Sequence, residues 1–182
     1  AQDELPQSAS GKTIMTTEPK FIPKEAVSIN VADNLDIKVK MIDCVGYVVK
    51  DAEGQFEDGK ERMVRTPWFD YDIPFSKAAE IGTNKVINNH STVGIVVTTD
   101  GSFGELPRES YLEAEQKTVD ELKAIGKPFV ILLNTDKPSS SQTAALSAEM
   151  SDTYGASVIP VNVEQLRESD ITYIFTELLM SF

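Results

Sequence analysis

Cysteine and histidine are almost absent from this chain of 182 residues, which contains one of each, Cys44 and His90. A single cysteine excludes an internal disulfide, and one residue of each type supplies too few ligands for a structural zinc site. The two residues lie far apart in sequence, so the pattern favours a structural thiol at Cys44 over a catalytic cysteine–histidine pair. A lone cysteine is compatible with a reducing compartment such as the cytosol.

Basic residues and long apolar runs are also scarce. The chain has 17 Lys and Arg against 29 Asp and Glu, which gives a formal net charge of −12. This balance argues against general binding to nucleic acid, whose affinity comes largely from cations on phosphates, and against electrostatic attachment to anionic lipid. No apolar run reaches the roughly 18 residues that a membrane-spanning helix needs. We therefore expect no nucleic-acid partner and no direct insertion into a membrane.

Amphipathic and apolar segments alternate from residue 74 onward. Helices are predicted at 74–88, 108–125, 139–154 and 164–180, and strands at 92–97, 129–133 and 158–161. Apolar strands that alternate with helices are typical of a parallel sheet covered on both faces. Ahead of them, residues 27–31 and 35–42 predict an antiparallel hairpin. The sequence therefore predicts an α/β fold with a mostly parallel sheet, helices on both faces and a hairpin at the edge.

Two other segments do not fit this alternation. Residues 1–26 are polar and contain proline, and they predict an extended loop. Residues 50–72 are rich in acids and predict a long insertion, which is usually a functional or mobile feature. Arg62, Arg65 and Trp68 within it are compatible with either a solvated surface or a subunit contact. The sequence begins with Ala1 rather than methionine, and we interpret it as a single domain of a longer protein.

The segment Asp43-Cys44-Val45-Gly46 follows the second predicted hairpin strand. An acid at a strand end, with a glycine three residues later, is how many P-loop NTPases bind Mg²⁺ and sense a γ-phosphate. The glycine allows the backbone N–H to approach the phosphate closely. Asp-x-x-Gly also describes many ordinary turns, so the position at a strand end carries the interpretation. Tyr47 stands where many related GTPases have a glutamine that orients water.

A phosphate-binding loop that could face Asp43 is missing from this stretch. Ser10-Gly11-Lys12-Thr13 looks like the end of Gly-x-x-x-x-Gly-Lys-Ser/Thr, but Pro6 occupies the position of the first glycine. In P-loop proteins this loop follows a strand between the acid-bearing strand and the next parallel one. Without that strand, two apolar edges would face water. We expect the first strand and the P-loop to precede this segment in the parent protein.

Long motifs spread over essentially the whole chain carry a family resemblance. They are Asp3-Glu4-Leu5-Pro6-Gln7-Ser8, Gly11-Lys12-Thr13-Ile14-Met15-Thr16-Thr17-Glu18-Pro19-Lys20-Phe21, Asp43-Cys44-Val45-Gly46-Tyr47, Met63-Val64-Arg65-Thr66-Pro67-Trp68, Ala79-Glu80-Ile81-Gly82-Thr83, His90-Ser91-Thr92, Val97-Thr98-Thr99-Asp100-Gly101, Pro107-Arg108-Glu109 and Gly126-Lys127-Pro128-Phe129. The chain resembles the stage IV sporulation protein A family, the spore coat morphogenetic ATPases of endospore-forming bacteria.

The resemblance implies a fold, a reaction and a set of partners. Residues 1–182 would form one nucleotide-binding domain with the P-loop NTPase fold of translation-factor-type GTPases, using ATP and Mg²⁺. ATP hydrolysis would drive self-assembly into the basement layer of the spore coat, at the forespore surface in the mother-cell cytoplasm. A small amphipathic membrane-bound spore protein would recruit the parent chain, which would also contact other coat proteins.

The resemblance also implies roles for individual residues. Asp43 corresponds to the Walker B acid that holds Mg²⁺, and Thr16 and Thr17 to the sensor threonines of hydrolysis. A threonine hydroxyl can ligate Mg²⁺ and its carbonyl can orient water, so Thr16 is a second predicted metal ligand within a switch-like loop, residues 1–26. Gly46 is predicted to bind the nucleotide. The Walker A lysine has no counterpart, so this segment alone is expected to be inactive.

The segment Asn134-Thr135-Asp136-Lys137 occupies the place of the guanine-reading Asn-Lys-x-Asp. Guanine recognition needs an acceptor carboxylate at the fourth position, where Lys137 offers only donors. This favours ATP, with Asn134 and Asp136 as predicted nucleotide-binding residues. A different loop register would let Asp136 serve, so a regulatory GTPase stays an alternative. A non-catalytic assembly module with the same fold is the other.

Overall fold

The structure is a computed structural model that describes residues 8–9, 12–13, 20–32, 35–52 and 54–182. In chain order its strands are β1 (Ser8–Ala9), β2 (Lys12–Thr13), β3 (Lys20–Ala32), β4 (Leu35–Asp43), β5 (Phe56–Glu57), β6 (Lys60–Glu61), β7 (Met63–Val64), β8 (Ile73–Pro74), β9 (Gly94–Thr99), β10 (Phe129–Asn134) and β11 (Val158–Val161). Its α-helices are α1 (Phe75–Lys85), α2 (Leu112–Ala124), α3 (Ser141–Tyr154) and α4 (Glu168–Met180), and a π-helical turn, Val86–His90, continues α1. Shorter 3-10 turns occupy Arg108–Ser110 and Val163–Gln165.

A parallel sheet of three strands, in the order β11-β10-β9, lies at the centre. The middle strand β10 is apolar and buried on both faces because helices cover both sides of the sheet. One face packs Ile131 and Leu133 against side chains of α2 and α3. The other packs Val130 and Leu132 against α4 and against Val31 of β3. The predicted α/β arrangement of a parallel sheet between helices is therefore confirmed.

The antiparallel hairpin of β3 and β4 is present as predicted, but it is longer than predicted. Strand β3 begins at Lys20, which pairs with Asp43, so the prediction of a loop through residue 26 is wrong for residues 20–26. Residues 8–9 and 12–13 also pair with each other as short strands. The sequence signal was obscured because Pro23 lies where the ladder shifts register, between Ile22 and Val27, and proline is tolerated at such irregularities.

The predicted insertion at residues 50–72 contains one short ladder, β5 with β6, and its strand β7 pairs with β8 just beyond it. The turn between β5 and β6 has Asp58 and Gly59 at φ of 50° and 75°, a combination that suits a tight hairpin. The guanidinium of Arg62 lies 4.5 Å from the centre of the Phe75 ring. These contacts attach the insertion to the start of α1.

Strands β4 and β9 each have an unpaired edge within the described part of the chain. β9 is an outer strand of the parallel sheet, and β4 pairs only with β3. Both carry apolar side chains in contact with solvent, since Val97 is 63% and Met41 51% exposed. In the same described ranges, no helix is both long enough and apolar enough to cross a membrane.

Candidate functional site

The carboxyl ends of β9, β10 and β11 meet at one edge of the sheet, where ligands bind in parallel α/β folds. Asp100 donates its backbone N–H to the Asn134 carbonyl at 3.3 Å. The Asn134 side chain accepts a hydrogen bond from the N–H of Val163, beyond β11, at 3.0 Å. The predicted site residue Asn134, at the end of β10, therefore contacts the loops that follow the two flanking strands, β9 and β11.

Asp100 connects the loop after β9 to the loop after β10. One carboxylate oxygen accepts from the Thr135 hydroxyl at 2.6 Å, and the other accepts from the N–H and hydroxyl of Ser102 at 2.9 and 2.5 Å. The Ser102 hydroxyl in turn accepts from the N–H of Asp136 at 2.9 Å. Burial opposes ionisation of Asp100, but the hydrogen bonds from Ser102 and Thr135 outweigh it and lower the pKa of this carboxyl. We call Asp100, Ser102, Thr135 and Asp136 the loop cross-link.

The side chain of Asp136 is the accessible part of this cross-link. It is 46% exposed, and its carboxylate lies 3.4 Å from the ammonium of Lys137. The backbone of Asp136 is fixed by Ser102, whereas the carboxylate faces solvent with a cation beside it. The arrangement offers a ligand one acceptor and one donor on a fixed loop.

Asp43, the predicted magnesium ligand, is the last residue of β4 and is exposed. Gly46 has φ of 78°, and a Cβ built on it would meet no atom within 4 Å. Its backbone conformation, rather than lack of space, therefore favours glycine. The N–H of Lys50 donates to the Ser110 carbonyl at 3.1 Å, so the segment that follows Asp43 lies beside the loop that leaves β9.

A metal site at Asp43 would need ligands from elsewhere. Within the described ranges, no group of three or more histidine, cysteine or acidic side chains is placed to hold a metal ion. An exposed carboxylate at a strand end still fits Mg²⁺, which takes one or two protein carboxylates and completes its shell with water and phosphate. Thr16 and Thr17, the other predicted residues of this site, lie outside the described residues.

Cys44 is a half-buried thiol. Burial is the largest influence on its pKa and raises it, and the negative charge of Asp43 acts in the same direction. A hydrogen bond from the backbone of Gly46 opposes the shift without reversing it. A protonated thiol is a poor nucleophile, which agrees with the structural role expected from the sequence.

A buried ion pair near this edge was not anticipated from the sequence. The guanidinium of Arg108 holds the Glu115 carboxylate through two contacts, at 2.5 and 2.6 Å, and their side chains are 15% and 1% exposed. Arg108 also donates to the Thr98 hydroxyl at 3.0 Å and the Thr99 carbonyl at 3.2 Å, and Tyr154 donates to Glu115 at 2.6 Å. We call this set the Arg108 network. It fastens the end of β9 to α2 and α3. The available signal was the separation of seven residues between Arg108 and Glu115.

The comparisons with known proteins agree with this architecture. Residues 1–182 match the family model described as stage IV sporulation protein A, ATPase domain. The chain is similar to proteins named stage IV sporulation protein A: it is 50% identical over 182 residues to that of Bacillus subtilis (strain 168), 52% over 182 residues to that of Bacillus anthracis, and 50% over 181 residues to that of Clostridioides difficile (strain 630).

These alignments cover 100% of the chain but 37% of each relative, so the chain spans little more than a third of the length of the curated proteins it matches. No solved structure matches it. The match over every residue, together with the sheet and the loops at its carboxyl edge, shows that the chain belongs to the stage IV sporulation protein A family and corresponds to its ATPase domain.

Proposed function

We propose that this chain is the ATP-hydrolysing domain of a spore coat morphogenetic protein, and that hydrolysis drives self-assembly of the whole protein into the coat basement layer around the forespore. The observation that carries the proposal is the hydrogen bond from the Lys50 N–H, shortly after the Asp43–Gly46 segment, to the Ser110 carbonyl in the connection that leaves β9, in a chain whose family is an ATPase domain. Location in the mother-cell cytoplasm at the forespore surface is part of the same proposal.

The proposal includes a P-loop NTPase fold that is completed by residues outside the 182. Two observations support it: the open edges of β4 and β9, and the exposed apolar side chains of Met41 and Val97 on these strands. A strand inserted between the two edges would pair with both and remove this exposed backbone from solvent. The turn after such a strand would bring a phosphate-binding loop towards Asp43.

In the proposed reaction, Asp43 and Thr16 would hold Mg²⁺, and Gly46 would present its N–H to the γ-phosphate. When bound, the metal neutralises negative charge on the transferring phosphoryl group. Thr16 and Thr17 orient the attacking water through hydroxyl and carbonyl groups. These assignments derive from residue chemistry and family membership.

The base of the nucleotide would lie at the loop cross-link, beside Asn134 and Asp136. The exposed Asp136 carboxylate can accept a hydrogen bond from the exocyclic amine of adenine, and Lys137 can donate to a ring nitrogen. The same carboxylate could accept from guanine. A regulatory GTPase is therefore the second candidate, and competition between ATP and GTP for the whole protein distinguishes the two.

Self-association and recruitment by a small amphipathic membrane-bound spore protein, together with contacts to other coat proteins, belong to the whole protein in this proposal. The insertion supports a contact surface, because Phe56 is 58% and Tyr71 61% exposed there. If the chain is instead a non-catalytic assembly module, it would polymerise without turnover.

The direct test measures ATP turnover by the whole protein with Asp43→Asn, and with Asp152→Asn as a control that removes an exposed acid from α3. Loss of the metal ligand should lower turnover about a hundredfold or more, whereas the control should stay within about twofold of the wild type. Equal turnover by the wild type and Asp43→Asn would remove Asp43 from catalysis. No turnover by the wild type would favour the assembly module.

A further inference from the structure

Tyr47 follows Gly46 and is bound by side chains of both α1 and α2. Its ring centre lies 4.3 Å from the ammonium of Lys117, and its hydroxyl oxygen lies 3.3 Å from the side-chain amide of Asn84. Burial and a hydrogen bond to the Glu121 carboxylate raise the pKa of Tyr47. The phenol is therefore neutral, and its hydroxyl lies within hydrogen-bond distance of the Asn84 side chain.

The residues that hold Tyr47 are themselves held. Lys117 pairs with Glu80 at 2.8 Å, which fixes its ammonium over the ring. With its nitrogen turned towards α2, the Asn84 amide donates to both oxygens of Glu121, at 2.6 and 3.0 Å. We call Glu80, Asn84, Lys117 and Glu121 the tyrosine clamp. It joins the loop after β4 to two helices through charged and polar groups.

The position of Tyr47 along its loop gives the clamp a consequence for Gly46. Residues 44–49, all of them described, contain no helix or strand. The loop is attached upstream where Asp43 pairs with Lys20, and downstream where Lys50 donates to Ser110. No side chain crowds Gly46. Between the two attachments, the clamp on Tyr47 restrains the backbone next to Gly46.

We propose that Tyr47 is a positioning residue for ATP hydrolysis, which acts through the tyrosine clamp by restraining the backbone of Gly46, whose N–H would be presented to the γ-phosphate. The inference rests on the proposed function. Tyr47 does not replace a water-orienting glutamine, because its hydroxyl is engaged with the Asn84 side chain between the two helices. It instead restrains the backbone of a neighbour, and displacement of a reacting group by about 1 Å can cost about a hundredfold in rate.

The test compares variants of the whole protein. Tyr47→Leu should lower kcat about tenfold or more while the KM for ATP stays within about twofold, since geometry rather than binding is lost. Tyr47→Phe keeps the ring over Lys117 and should give a smaller loss. Lys117→Met breaks the clamp from the helix side, at a side chain that is 44% exposed, and the exposed Lys123→Met is its matched control.

Combining Tyr47→Leu with Lys117→Met should cost no more than Tyr47→Leu alone, because both break the same clamp. Losses that multiply would overturn the proposal, since Tyr47 would then act apart from Lys117. Wild-type kcat in a folded Tyr47→Leu protein would overturn it as well. If Tyr47→Leu does not fold, Lys117→Met against Lys123→Met decides: an equal kcat overturns the proposal, and a loss confined to Lys117→Met supports it.

Amide hydrogen exchange without nucleotide separates this inference from the proposed function. The amides of residues 44–50 should exchange about tenfold faster in Lys117→Met and Tyr47→Phe than in the wild type. In Lys123→Met their exchange rates should equal those of the wild type. If the wild type does not hydrolyse ATP, the proposed function fails, and the clamp is then tested by the amide exchange rates alone. Faster exchange then supports the clamp as the device that orders this loop, and unchanged exchange overturns it.

Discussion

The loops that follow β9 and β10 are joined by hydrogen bonds among Asp100, Ser102, Thr135 and Asp136, whereas the loop that follows β4 begins at an exposed Asp43. Buried contacts also support the first pair of loops, through the Arg108 network behind them. The loop after β4 relies on the half-buried Tyr47 and one backbone contact at Lys50. One side of the candidate site is fixed by buried and hydrogen-bonded contacts, whereas the other is held mainly through Tyr47.

This difference matches the chemistry proposed for the two sides. A base is recognised by shape and hydrogen bonds, and a rigid loop reads it without first losing conformational entropy. The γ-phosphate is present before hydrolysis and absent afterwards, so the loop that senses it must change conformation at a low cost in free energy. Three measurements of stability can break or sharpen the comparison.

Removing the partner of the buried guanidinium should have the largest effect. Glu115→Ala leaves Arg108 without its carboxylate in a site where Glu115 is 1% exposed. Loss of one member of a buried pair costs about 3–5 kcal/mol of unfolding free energy. Urea unfolding followed by circular dichroism measures the cost, and Glu113→Ala on the exposed face of the same helix should stay within about 0.5 kcal/mol of wild type. A similar loss in both variants would mean that this network does not distinguish the two sides.

This network also shows what sequence reasoning could and could not reach. The order of helices and strands followed from local patterns: α3 begins after Ser140, whose hydroxyl accepts from the Thr143 N–H, and ends at Gly155 in a left-handed conformation. The hairpin and the buried strands followed from alternation and apolar runs. The contact of Tyr154 with Glu115 depends on how α2 and α3 pack, which no local pattern encodes.

The candidate site divides in the same way. Asp43, Gly46, Asn134 and Asp136 were predictable because they stand at strand ends, and the structure puts each of them in such a loop or at such an end. Two contacts were not predictable, because each joins residues far apart in the chain: that of Asp136 with Ser102, and that of Tyr47 with α1 and α2. The start of β3 was missed because long-range pairing with β4 overrides the local effect of Pro23.

Two glycines with similar backbone angles offer a matched test of intermediate size. Gly101 has φ of 86°, and a Cβ there would lie 2.8 Å from the backbone nitrogen of Arg108, whereas Gly46 has φ of 78° and open space. Gly101→Ala should cost about 3 kcal/mol, from both strain and steric overlap, and Gly46→Ala about 1 kcal/mol, from strain alone. Unfolding free energies of the two variants, measured side by side, check the difference. Equal costs would mean that the loop after β9 yields as readily as the loop after β4.

The smallest effect is a dependence of stability on acid, which should come from the Arg108 network. Burial opposes ionisation of Glu115, but hydrogen bonds from Arg108 and Tyr154 outweigh it, and its pKa lies below the ordinary value. A lowered pKa contributes stability above the unfolded-state pKa, about 4.3 for glutamate, and this stability is lost as pH falls through the folded-state pKa. The wild type should therefore be more stable than Glu115→Gln at pH 7, and the gap should narrow steadily below about pH 4.

This difference is measured from the unfolding free energies of both proteins at a series of pH values. The control is Gln116→Ala, a neutral change on the exposed face of α2, whose difference in unfolding free energy from the wild type should not narrow in acid. If the gap between wild type and Glu115→Gln stayed constant from pH 7 to about pH 3, the charge of Glu115 would not be what stabilises the network. Shape and packing would then hold the end of β9, and the contrast between the two sides of the site would rest on burial instead of ionic contacts.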